Sequence, residues 1–165
     1  MKSLIWGALL ALAATAVWAG TLTAAAQTEN RELDGRTLEG SWTVQVTQLN
    51  CETGAPLGSP FLSLLTFAKG ETLVETTSNP MFFPAVRGPG HGVWSYSGDH
   101  SFKAVSVAFI TLDGALVKTQ TISQTIEMRD GPNTFKTTKA SVVFVPVAGG
   151  PTITGCATAV GKRIE

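Results

Sequence analysis

From Trp42 to the end of the chain, apolar positions recur at every second residue in short runs rich in Val, Thr, Ile and Phe, and Gly, Pro, Asn and Asp break the runs. A period of two marks strands with one buried face, and the residue types agree with it. No stretch sustains the 3.6-residue period of an amphipathic helix. The pattern predicts eight strands, near 42–48, 61–68, 71–77, 91–97, 101–111, 116–129, 134–146 and 152–164. The expected fold class is therefore all-β.

The connections say how those strands are arranged. Lys69-Gly70, Gly98-Asp99-His100 and Asp130-Gly131-Pro132-Asn133 are short turns of the kind that join neighbouring antiparallel strands. Leu49 to Pro60 and Ser78 to Gly90 are long. In an up-and-down meander alternate connections lie at the same end, so the tight turns form a floor and the long loops flank a mouth. Strand one begins at the floor and strand eight finishes there. Pairing Trp42 with Arg163 closes the sheet in an antiparallel register whose residue numbers sum to about 205, and Cys51 with Cys156 sums to 207. The same register thus brings the cysteines within one diagonal step of each other.

Closure also removes the exposed edges that a sheet of this composition would otherwise present. The expectation is an eight-stranded antiparallel up-and-down barrel, whose interior is filled by side chains or holds one small ligand. With Trp42 pointing inward, Val44 and Val46 follow by alternation. The inward set on strand eight is Ile153, Gly155, Ala157, Ala159 and Gly161, and on strand five Ala104, Ser106 and Ala108. These small residues leave room for Trp42, Phe102 and Phe109 to pack, or for a ligand.

The start of the chain changes the setting. Lys2, the apolar run Leu4 to Val17 and the A-x-A site at Ala24-Ala25-Ala26 read as an export signal over residues 1–26, followed by a polar, flexible leader over 27–37 and the barrel domain over 38–165. The apolar run is shorter than the ~20 residues of a spanning helix, so no integral membrane segment is expected after processing. The address implied is periplasmic or extracellular, where Cys51 and Cys156 are expected to form a disulfide worth ~2 to 4 kcal/mol. Loss of Lys2 turns a balance of 12 basic and 12 acidic residues into 11 against 12. A near-neutral domain without a basic cluster is a poor partner for nucleic acid.

Gly40-Ser41-Trp42 at the head of strand one, paired with Arg163 at the end of strand eight, resembles the lipocalins and the wider calycin group, as does the layout of one open and one closed end. The resemblance implies a lipocalin-like barrel with the tryptophan and arginine in structural roles. Physically, an indole seals the narrow end and a guanidinium stacked on it adds ~1 to 2 kcal/mol of cation–π attraction.

Few residues suggest chemistry. His91, in Gly88-Pro89-Gly90-His91-Gly92-Val93-Trp94, lies at the mouth end, either capping the loop or acting on a ligand. Seven residues of strand separate it from His100 by about 20 Å, and with the cysteines paired no metal site is expected. Glu71 and Glu75 read as one solvated face of strand three, with backbones ~13 Å apart. No nucleophile elbow or Cys-His pair is present, so binding is favoured over catalysis and no cofactor is expected. In Asn79-Pro80-Met81-Phe82-Phe83-Pro84, adjacent large apolar residues form a lid over a ligand, a patch for a partner, or packing over the barrel end. The resulting expectation is an exported protein holding a small apolar ligand, with Val44, Val46, Phe82, Phe83, His91, Trp94, Ala157 and Ala159 as candidate lining residues. Two alternatives stand beside it: a barrel enzyme of isomerase or cyclase type with His91 as acid or base, and a structural or adhesive domain with a filled barrel.

Overall fold

A computed structural model describes residues 37–128 and 130–165. The residues read as a signal peptide, nearly all of those read as a leader, and position 129 lie outside the described residues. Eight strands follow one another as β1 (Gly40–Leu49), β2 (Phe61–Ala68), β3 (Thr72–Thr77), β4 (Val86–Gly98), β5 (Ser101–Leu112), β6 (Ala115–Glu127), β7 (Thr134–Pro146) and β8 (Ile153–Arg163), with one 3-10 turn at Pro80–Phe82. Each strand pairs with the next, and β1 pairs with β8, closing an antiparallel up-and-down barrel.

The closure has the register expected of it. Trp42 faces Arg163, and the ladder runs without a break to Leu49 opposite Cys156. Cys51, two residues beyond, is disulfide-bonded to Cys156 with Cα atoms 5.2 Å apart. A bond between strands one and eight ties residues separated by 105 positions, which removes much of the unfolded chain's freedom.

Strict alternation sets the inner face. On β5, Phe102, Ala104, Ser106, Ala108 and Ile110 are buried and the residues between them are not. Phe109 therefore faces outward, 60 % exposed, and cannot pack inside as expected, because it has the opposite parity to Phe102. The floor half of the interior is packed by rings. Trp42 meets Phe135 edge-on at 5.0 Å, Phe135 meets Phe67 at 6.3 Å, Phe67 meets Trp94 at 6.0 Å, and Trp94 meets Phe102 at 5.8 Å. Gly161 makes this possible, since a Cβ there would collide with the Phe135 ring.

The Trp42 indole N–H donates to Leu38 O at 3.0 Å. The Arg163 guanidinium carbon stands 4.2 Å from the ring centroid. Arg163 also donates to Thr37 O, Glu39 O and Pro132 O, tying the segment before β1 to the turn before β7. Gly40, with φ +124°, leaves the space that the guanidinium occupies.

Most strand ends lie within two residues of the expected ones, and two differences bear on the interior. Glu71, with φ 65°, belongs to the turn with Gly70, so it does not share a strand face with Glu75. Strand β4 starts at Val86 instead of near residue 91, because Gly88 and Pro89 sit in a bulge between Arg87 and Gly90 where the missing proline N–H breaks no ladder bond. Replacing Cys51 and Cys156 together by Ala is expected to lower the unfolding free energy by about 2 to 5 kcal/mol, measured by urea denaturation against the oxidised parent.

Candidate functional site

Above the packed rings the barrel interior opens into a cavity of about 260 Å³ at the mouth. Its walls are Val46, Phe61, Ile122, Val142 and Phe144, and Leu57, Met81 and Phe82 form part of its rim. Gly155 contributes no side chain to this space, opposite Val142 on β7. The 3-10 turn supplies the rim: Asn79 accepts from the Met81 backbone N–H at 3.0 Å, which sets the turn, and Phe82 packs edge-on against Phe144 at 6.3 Å.

Part of the cavity lining is polar. Glu75 and Arg87 form an ion pair with side chains only 6 % and 2 % exposed. The Arg87 Nε–H donates to Gln120 Oε1, its Nη1 donates to Gly88 O at 3.1 Å, and the Ser106 hydroxyl donates to Glu75 Oε1 at 3.4 Å. Every member of the cluster thus has a partner beyond the ion pair itself, the condition under which a buried charge pair is tolerated.

The bulge in β4 is what brings Arg87 inside. Gly90 pairs with Ala108 and Arg87 with Ile110, and both partners are buried inward residues. Two positions of one odd and one even number share the inner face only because the strand gains a residue between them. Gly90 makes the matching space, since a Cβ there would strike the Glu75 carboxylate.

The expected lining residues divide into three groups. Val46 and Phe82 line the cavity. Val44, Trp94 and Ala159 belong to the packed half below it, where the Trp94 indole N–H donates to Ala68 O at 3.2 Å, and Ala157 is buried without lining the cavity. His91 and Phe83 stand outside: His91 is exposed on the outer face of β4, between Val74 and Val107, and Phe83 is 87 % exposed. For His91 the cause is parity, since Gly90, Gly92 and Trp94 take the inward positions.

The largest correction concerns Glu75. Far from lying on a solvated face, it is 5 % exposed inside the barrel, and with Arg87, Gln120 and Thr77 it makes up polar surface that the sequence reading did not assign to the interior. The signal for Glu75 was its parity with Leu73, which is 2 % exposed. For Arg87 the signal was Gly88-Pro89, a pair that inside a strand marks a bulge and so a change of face for the residue before it.

Comparison of the chain with models of protein families, with curated proteins and with solved structures returns no match. Among the described residues no helix is long and apolar enough to cross a membrane. Replacing Arg87 by Met is expected to lower the unfolding free energy by about 3 to 5 kcal/mol, because Glu75 is left buried without its counter-charge. Adding Glu75→Gln to that variant recovers most of the loss in the same chemical denaturation experiment, since no unpaired charge remains.

Proposed function

We propose that this chain is an exported binding module of the lipocalin-like type, which holds a small, largely apolar molecule at the mouth of its barrel. The observation that carries the reading is the division of the interior: aromatic rings fill one half, and an open cavity with apolar walls occupies the other. Ligand sites in proteins have this character, concave and mostly apolar with a few convergent polar groups. The disulfide between Cys51 and Cys156 fits an oxidising compartment outside the cytoplasm, in line with the export signal read at residues 1–26. Trp42 under Arg163, at the end of the barrel away from the cavity, supports the calycin likeness and a structural role for the pair.

A second reading has one observation in its favour. Met81 and Phe83 are 75 % and 87 % exposed beside the mouth, which suits association through this loop. The isomerase or cyclase reading loses its support at His91, which lies on the outer face away from the cavity.

Denaturing the protein purified after export and analysing the extract by mass spectrometry is expected to release a stoichiometric apolar compound. Gly155→Leu offers a direct check, because a Cβ at Gly155 meets only Val142, at 3.8 Å, and the larger side chain then enters the cavity. The expected result is ligand affinity reduced by about tenfold or more at little loss of thermal stability; unchanged affinity would place the ligand elsewhere. For the association reading, sedimentation that depends on concentration in the parent and becomes strictly monomeric in Met81→Ser/Phe83→Ser is the supporting result.

A further inference from the structure

We infer that the cavity selects an uncharged amphiphile, a short apolar chain ending in a neutral hydrogen-bonding group such as an alcohol or amide, and discriminates against the corresponding acid and amine. The inference rests on the reading of the cavity as a ligand site and specifies what that site takes.

The argument begins with charge. Among the described residues, the ionised groups lining the cavity are Glu75 and Arg87, and they neutralise each other. A carboxylate entering the cavity must compete with Glu75 for Arg87, and an ammonium must compete with Arg87 for Glu75. Either exchange leaves one residue's charge buried without its partner, which is far less favourable than leaving the pair intact. Arg87 has no easy way to turn toward a new anion, since its Nε–H is held by Gln120, Nη1 by Gly88 and Nη2 by Glu75.

The groups left over are neutral. Because an arginine N–H can only donate, Gln120 must turn its carbonyl oxygen to Arg87, and its amide nitrogen remains as a donor. Thr77 also lines the cavity, and its buried hydroxyl has no hydrogen-bond partner among the described residues. That hydroxyl is itself sealed from the cavity surface, so the Gln120 N–H is the donor a ligand meets, and it matches the oxygen of an uncharged alcohol or amide head group. The rest of the lining is mainly apolar, and 260 Å³ is about nine times the ~30 Å³ share of a liquid water, which suits a chain of about eight carbons with its head.

The test is isothermal titration calorimetry of the disulfide-bonded protein, purified after export and freed of any bound compound, with octan-1-ol, octanoate and octylamine at neutral pH. These share one chain and differ in head-group charge. The expected result is that octan-1-ol binds about tenfold or more tighter than either charged analogue. If octanoate or octylamine binds as tightly as the alcohol, the head-group inference is overturned while the binding-module reading stands. If none of the three binds, both fall together. Glu75→Gln, with its fold verified by circular dichroism, exposes the Arg87 charge and is expected to shift the octanoate-to-octanol affinity ratio toward octanoate by about tenfold. An unchanged ratio in that folded variant also overturns the inference. Should the variant not fold, the comparison of the three probes on the parent protein decides alone.

Discussion

Everything in this structure depends on the pairing of the first strand with the last. Antiparallel contact from Trp42 opposite Arg163 to Leu49 opposite Cys156 satisfies two backbone edges at once and turns an open sheet into a barrel with an inside. It places the Arg163 guanidinium on the Trp42 ring at one end of the shared seam and the Cys51–Cys156 disulfide at the other. A one-residue slip in this register would turn one strand's inner residues outward relative to the other's, so the two end contacts together hold the alternation across the seam in place.

Given closure, the interior divides according to side-chain size. In the floor half, rings from five strands meet edge to face, and Gly161 and Ala104 are small where those rings need room. Toward the mouth, Gly155 contributes no side chain, and a cavity remains. Such a cavity forgoes the dispersion contacts that a filled barrel would make. The ring-packed half and the disulfide supply stability from elsewhere, which leaves the mouth free to take a molecule.

The charged pair at the boundary has a different logic. A buried ion pair contributes little net stability compared with well-packed apolar residues, and it brings strong penalties when either partner changes. Its presence in the lining of a largely apolar cavity is not accounted for by folding energy alone. The bulge at Gly88 and Pro89, the absent Cβ of Gly90 and the Ser106 hydroxyl all serve to seat Glu75 and Arg87.

Much of the fold was legible in the chain because a barrel is built from a local signal. Alternation located all eight strands, turn residues located the floor, and the sums of paired residue numbers joined Trp42 to Arg163 and Cys51 to Cys156 before any coordinate was known. The site was less legible. Parity alone could have turned Phe109 and His91 outward and Glu75 inward, but a one-residue error in the phase of a short strand reverses such an assignment, and an acidic residue looks solvated by default. Arg87 was harder still, because Gly88-Pro89 marks an irregularity in the strand but does not by itself say which face the neighbouring residue takes. By itself the sequence determined the strand count, the closing register and the disulfide, all of which follow from a two-residue period and fixed turns. Tertiary structure alone decided that the interior is half packed and half open, and that its lining includes a neutralised charge pair, because both depend on how side chains from strands far apart in the chain share one enclosed volume.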